Sequence, residues 1–401
     1  MSWRRPGRGW WAAALGLTLF VGIFPQFALG ALGPQLRDDL GVSPADLGLV
    51  FAALYVAGVV GSPLAGPIVD RLGPRRSCVG LQLTVSAALL AASFATGRVG
   101  LIAAMLPAGA AMAFANPGTN RWAAAASRPR VQAQLVSIAQ AGVQAGALVA
   151  GALASAVALG LDWRGVLRIA AGLAVIGAFL AVRAPADDRS REAAAAPPRP
   201  VTDTSARAPR GALLALAVYA GAMGAGTAVV FAYLPTFAVD VGGMSVAAAG
   251  ATASIYGGTA LLCRLAIGAV LRDPDRHLRR LLVGFALGAA VAILVLMAGG
   301  VAPMWILVGA VLFGATGTTW PVVAFLAVVR ISPPGAAGRA TGWMAAAFYL
   351  GLWLSPPLAG LVIAEVGYSL AWAGSVAAYL LAVMPAATIG GRRRSVPVGA
   401  A

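Results

Sequence analysis

"GPIVDRLGPRR", Gly66 to Arg76, sets one acid and three arginines, Asp70, Arg71, Arg75 and Arg76, between two long apolar runs. The chain around it has 401 residues, 60% hydrophobic and 10% charged, with a mean hydropathy of +0.85. Soluble domains do not have this composition, so the cluster reads as the turn between two membrane spans. A bilayer crossing takes roughly 20 apolar residues. Charge and Gly/Pro breaks divide the chain into twelve such stretches: 10–33, 46–69, 77–96, 99–122, 133–158, 165–183, 211–237, 246–271, 280–299, 303–328, 340–363 and 369–389.

The net charge is +16, and all 29 basic residues are arginine. In a soluble protein such an excess would suggest nucleic acid. With the N-terminus inside and the spans alternating, 24 of the 29 arginines fall on the inner side. Arg37, Arg98, Arg164 and Arg168 fall outside, and Arg264 within a span. This is the positive-inside bias, which makes membrane lipid the partner of the basic surface, removes the nucleic-acid reading and puts both termini in the cytoplasm.

The opening "MSWRRPGRGWWAAALGLTLFVGIF" has the basic-then-apolar order of a secretory signal, with Ala28-Leu29-Gly30 as a weak cleavage site. Its apolar run is long for a signal core and more spans follow, so an uncleaved first span is expected. Cys78 and Cys263 fall in spans without metal-ligand spacing and read as packing residues; neither a metal nor a cofactor is expected.

"RAPADDRSREAAAAPPRPVTDTSARAPR", Arg183 to Arg210, is rich in Pro, Ala and charge and has no helical or strand period. It predicts a cytoplasmic linker, 184–210, between an N-terminal six-helix bundle, 1–183, and a C-terminal one, 211–389, with a cytoplasmic tail at 390–401. Two six-span halves suit a transporter that rocks one repeat against the other around a midplane site. In the opening stretch, Gly66 and Gly73 would allow close helix approach and a tight turn. Asp70 would receive helix amides or an arginine, the three arginines would meet anionic headgroups, and Pro63 and Pro67 would keep the end of span two irregular.

That stretch resembles the Gly-x-x-x-Asp-Arg-x-Gly-x-Arg-Arg loop between spans two and three of the major facilitator superfamily, through Gly66, Asp70, Arg71, Gly73, Arg75 and Arg76. The resemblance implies a loop that latches the two halves in one access state. The corresponding "GAVLRDPDRHLRR", Gly268 to Arg280, departs from the pattern: Asp273 lies five residues past Gly268 and Arg272 takes the acid's slot, so Asp273 is the candidate partner of a weaker second latch. In span five, "GVQAGALVAG", Gly142 to Gly151, is similar to the antiporter motif of drug-exporting members, with Ala147 in place of its proline; small-residue packing is the plainer account. "NPGTNRW", Asn116 to Trp122, and "IAQAGVQAGA" also resemble bacterial cyanate-transporter-like permeases, which implies a bacterial cytoplasmic membrane.

Charge within a bilayer is costly and marks function by default. None of the thirteen acids falls at mid-depth; Asp38, Asp39, Asp46, Asp162, Asp240 and Glu365 fall at outer ends. Coupling to a proton would then use Asp38, Asp39 or Asp46, or the protein is a facilitator or exchanger; the only histidine, His277, falls in an inner loop. Arg264 reads as either a structural arginine or an anion ligand, and Arg121 as an anchor near the inner end of span four or a site residue. The mid-depth amides are Gln26 beside Pro25, the pair Asn116 and Asn120, and the i, i+4 pair Gln140 and Gln144, with interhelical bonding as their plainer role. Tyr55, Tyr233, Tyr256, Trp320, Tyr349 and Trp353 fall away from the interfacial belts, where a cavity lined by rings competes with simple packing.

The expectation is an all-α, twelve-span membrane protein of two six-helix bundles, monomeric, working by alternating access. Its site would lie between the halves, on spans one, four, five, seven, eight, ten and eleven. Fixed positive charge without mid-depth acid favours a small organic anion as substrate, with a proton or counter-ion as the candidate coupling partner. Proton-linked efflux of drugs or metabolites is the alternative, and a membrane-embedded enzyme is disfavoured because no paired carboxylates or metal cluster fall in the spans.

Overall fold

The structure, a computed structural model, describes residues 8–124, 129–156, 160–184, 210–270, 278–332 and 337–389. Among these there is no strand, and twelve helical stretches are long and apolar enough to cross a membrane. We number them as spans: one, Gly9–Ala31; two, Pro44–Leu72; three, Pro74–Ser93; four, Arg98–Ala124; five, Gln134–Ser155; six, Trp163–Arg183; seven, Gly211–Asp240; eight, Val246–Ile267; nine, Leu278–Gly300; ten, Met304–Val328; eleven, Ala340–Glu365; twelve, Tyr368–Thr388. Most of the linker, the C-terminal tail, and Asp273 with Arg272 and His277 lie outside the described residues.

Local chemistry sets the ends. Span two starts on a capping box: the Ser43 hydroxyl accepts from the Asp46 amide at 3.1 Å, and the Asp46 carboxylate accepts from the Ser43 amide at 3.0 Å. Asp162 caps span six through the Gly165 amide at 2.7 Å. A short helix, Gly33–Leu40, follows span one and stops at Gly41, whose φ of +62° suits glycine. The turn from span two to span three pivots on Gly73 at φ +86°, as expected of a glycine there.

Two expectations for this turn are corrected. Span two remains helical through Pro63 and Pro67 to Leu72. Gly66 makes no close approach, since a Cβ there would meet nothing within 4 Å. Arg75 also does more than face headgroups: its Nε donates to the Ala181 carbonyl at 3.1 Å and its Nη2 to that of Val182, so it caps the carbonyl-rich end of span six.

Within the first half, span one packs on spans five and six, span three on four and six, and span two on four. In the second half span seven packs on eleven and twelve, nine on ten and twelve, and eight on ten. The neighbours thus repeat at an offset of six, as a duplicated unit requires. Without water to drive apolar association inside a bilayer, such contacts depend on close backbone approach through small residues. A Cβ on Gly109 of span four would lie 1.9 Å from the Leu54 carbonyl oxygen of span two, and one on Gly314 of span ten 2.4 Å from that of Tyr256 in span eight.

Replacing Gly109 by leucine is therefore expected to destabilise the protein by about 1–3 kcal/mol through overpacking. Gly172→Leu, at an open position, should not. Melting curves of the purified variants check this, and equal melting temperatures would contradict it.

Candidate functional site

The end of the bundle carrying the Gly66–Arg76 turn is called here the arginine-rich end, and the other the far end. At the far end the halves meet backbone to backbone. A Cβ on Gly30 of span one would fall 1.8 Å from the Phe231 carbonyl oxygen of span seven. One on Gly48 of span two would fall 2.6 Å from the Pro356 carbonyl oxygen of span eleven, and one on Gly151 of span five 2.4 Å from the Ser254 amide of span eight. Polar groups fasten these crossings. The Ser155 hydroxyl lies 2.8 Å from the Ala247 carbonyl and the Ser254 hydroxyl 2.7 Å from that of Leu148. The buried Tyr233 hydroxyl lies 2.9 Å from the Pro44 carbonyl and 2.7 Å from that of Pro356, donating to one at a time. Tyr233 is thus part of the seam.

An ion pair closes the far rim. Arg37, on the short helix after span one, donates to the Asp240 carboxylate at the end of span seven, and Tyr368 of span twelve donates to the same oxygen at 2.7 Å. Desolvation opposes the charge on Arg37, but the hydrogen bond and charge of Asp240 outweigh it and raise its pKa above the ordinary arginine value. Two other far-end acids are engaged within the first half: Asp46 with Arg98 at 2.8 Å, and Asp39 with the Trp163 indole at 2.7 Å.

Towards the arginine-rich end spans two and eleven part. Glycines of these spans that touch the opposite half near the far end, Gly48 and Gly360, give way to Gly66 and Gly342, where a Cβ would meet nothing within 4 Å. Val60 of span two is 66% exposed and Trp343 of span eleven 72%. The two halves therefore enclose a gap that is sealed at the far end and open at the other.

The apex of this gap is built from broken helices. Span four is two helices, Arg98–Met112 and Ala115–Ala124; span ten is Met304–Thr316 and Pro321–Ile331. Breaks at matching depth in the two halves free backbone carbonyls where a cavity can use them. The Thr318 carbonyl, in the span-ten break, accepts from Arg264 Nη2 at 2.7 Å. The Thr318 hydroxyl, 3.4 Å from the amide nitrogen of Gln144, ties span five across to span ten. Arg264 Nε is buried and has no partner, so this guanidinium retains an unused donor. Nearby in the first half, the buried Tyr55 donates to Gln26 Oε1 at 3.0 Å, and Gln140 donates to Asn116 Oδ1 at 3.0 Å.

The remaining expected residues divide by place. Asn120 is exposed, and Tyr349 is half-buried with its hydroxyl unpartnered. Trp320 is buried among Tyr219 and Phe348, with ring centroids 5.5 and 5.4 Å away, and so belongs to the core of the second half. Arg121 forms an ion pair with Asp70, its Nη2 donating at 2.8 Å, and both belong to the first half. In this conformation the Asp70 partner is thus span four, and among the described residues the ion pair joining the halves is Arg37–Asp240 at the opposite end. Small residues of span five serve packing: a Cβ on Gly142 would fall 2.2 Å from the Gly16 carbonyl oxygen of span one.

Residues 15–330 match the sequence pattern of the Major Facilitator Superfamily, and the chain belongs to that family. Solved structures agree on the fold. A D-xylose–proton symporter superposes with a TM-score of 0.75 at 17% identity, covering 95% of this chain and 97% of that one. A bacterial homolog of the human lysosomal transporter Spinster gives 0.69 at 16%, covering 96% of each chain. Among curated relatives, a probable high-affinity nitrate transporter 2.4 of Oryza sativa subsp. japonica is 36% identical over 98 residues, 24% of this chain and 20% of its own length. The gallate transporter of Pseudomonas putida is 30% identical over 157 residues, 39% of this chain and 34% of its own. The 4-hydroxybenzoate transporter PcaK of the same organism is 24% identical over 164 residues, 41% and 37%. The matched stretches thus span less than half the length of these relatives.

Sequence reasoning missed Arg37 with Asp240, Thr318, and the breaks in spans four and ten. Gly317 and Pro321, which flank the span-ten break, were the available signal. If Arg37–Asp240 holds the far end shut, Asp240→Asn should raise the far-end-open population about 5-fold, the equivalent of about 1 kcal/mol. Spin labels at exposed Val99 and Val301, in a background with Cys78 and Cys263 replaced by alanine, would report this as a gain of longer distances. An unchanged distribution would contradict it.

Proposed function

We propose that this protein is a transporter of small organic anions that works by alternating access across a bacterial cytoplasmic membrane. The observation that carries the reading is Arg264, a guanidinium with a buried unpartnered Nε at the apex of a gap open to one end. A bare cation there is costly unless a ligand completes its hydrogen bonding. Among the described residues, Asp and Glu stand at span ends, so the middle of the gap is electropositive and rich in donors. The nitrate, gallate and 4-hydroxybenzoate relatives are named for anions, which supports the same class. The glycines of span five, the motif that suggested proton-linked efflux, are accounted for by packing on spans one and eight.

Orientation follows from the arginines: the arginine-rich end faces the cytoplasm, with both termini on that side. The structure then corresponds to the inward-open state. Closing that mouth would bring the Gly66–Arg76 turn against the second half, where Asp70 could exchange Arg121 for a partner across the gap. The protein acts as a monomer of two rocking six-helix units, 1–183 and 211–389. Asp39 and Asp46 are engaged, which leaves Asp38 as the candidate coupling acid, and with no described acid at mid-depth anion exchange or facilitated movement is favoured over proton drive.

A thermal-shift screen of the purified protein against small carboxylates and inorganic anions tests the assignment. A ligand present at 100 times its Kd should add about 2.7 kcal/mol to the apparent stability. The shift should vanish in Arg264→Ala and persist in Gly172→Ala. An anion whose shift survives Arg264→Ala, or a library without any anionic hit, would overturn it.

A further inference from the structure

The site has a second pole, formed by tyrosines that the anion reading does not use. Tyr256 of span eight is clamped by rings on two sides: Phe231 stacks on it at a centroid distance of 5.7 Å, and Phe313 meets it edge-on at 5.6 Å. The residue is only 2% exposed, yet its hydroxyl has no protein partner. The clamp thus fixes the ring and leaves its hydroxyl with unused hydrogen-bonding capacity. The Tyr349 hydroxyl of span eleven is likewise unpartnered, and the Tyr55 hydroxyl lies within electrostatic range of both. Three phenols from spans two, eight and eleven thus gather where the halves meet.

Geometry sets the distance between the poles. Arg264 follows Tyr256 by eight residues on the same helix, a rise of about 12 Å. Both side chains lean towards the helix N-terminus, so the separation of guanidinium and phenol stays close to that rise. Thr318, which holds Arg264, lies one turn beyond Gly314, and Gly314 itself abuts the Tyr256 backbone. With a hydrogen bond of about 2.8 Å allowed at each end, about 6 Å is left between the guanidinium and the Tyr256 phenol, the length of one small ring. Phe231 and Phe313 flank the phenol end of this interval, and both of its ends offer hydrogen bonds. An inorganic anion would fill only the arginine end.

We propose that the preferred ligand is a ring-hydroxylated aromatic monocarboxylate, its carboxylate on Arg264 and its phenolic oxygen on Tyr256 and Tyr349. This rests on the anion reading of the gap and sharpens it: of the relatives' named substrates, two have both poles and nitrate has one. Phenolic oxygens both donate and accept, so Tyr256 and Tyr349 can each take either role towards the ligand hydroxyl. A polar group built to meet a substrate hydroxyl discriminates against the analogue that lacks it.

Isothermal titration of the full-length protein in nanodiscs with 4-hydroxybenzoate, benzoate and nitrate separates the two levels. The expected order is 4-hydroxybenzoate tightest and benzoate about tenfold weaker, with nitrate weaker again. Tyr256→Phe, and independently Tyr349→Phe, should weaken 4-hydroxybenzoate so that its advantage over benzoate falls to about threefold or less. Arg264→Gln should abolish binding of both carboxylates. Equal affinities for the two carboxylates, or an advantage that both phenylalanine variants preserve, would overturn the two-pole site while leaving the anion reading intact. Carboxylate binding that survives Arg264→Gln would overturn both.

Discussion

The structure depends on how closely two backbones can approach inside a membrane. Where lipid is as apolar as leucine, helices gain little from burying side chains, and association is strongest where nothing stands between the backbones. Gly30, Gly48 and Gly151 mark three such places, on three of the pairs of spans that join the halves. All three lie near the far end. A seam of this kind can be made at one end of a bundle and unmade as the halves rock, because it consists of contacts between rigid helices and asks for no refolding.

The seam determines what the rest of the molecule must do. With the far end sealed, the middle of the bundle becomes a closed apex, and polar groups there meet either one another or a ligand. Gln26 with Tyr55 and Gln140 with Asn116 meet one another. Arg264 is only partly satisfied by a carbonyl that the break in span ten releases. A backbone carbonyl carries a partial negative charge, enough to hold a guanidinium in place without neutralising it. The arginine is thus held ready by the fold and left incomplete by it.

Much of this was legible in one dimension. Hydropathy located all twelve crossings, since length and apolarity are local properties. The Gly66–Arg76 turn was readable as a turn because Gly73 needs its positive φ whatever surrounds it. Arg264 stood out as a cation where lipid would penalise one. Contacts that depend on which helix faces which were not legible. Arg37 and Asp240 are 203 residues apart and looked like two ordinary end charges. Gly66 was expected to pack closely, but no neighbouring helix comes within reach of it, and residue type alone does not reveal that. Tyr256 was visible as a ring away from the interface; its clamp between Phe231 and Phe313 was not.

The central claim is that the halves touch at one end and part at the other, and cross-linking rates measure it most directly. A Cβ at Gly250 would lie 2.9 Å from that of Ala154, whereas Gly66 and Gly342 meet nothing within 4 Å. In a protein lacking its native cysteines, the pair Ala154→Cys and Gly250→Cys should oxidise readily to a disulfide, since Cβ atoms about 3.5–4.5 Å apart suit one after a small shift. Gly66→Cys with Gly342→Cys should remain reduced under the same conditions. Rapid bridging of the second pair with none of the first would contradict the account.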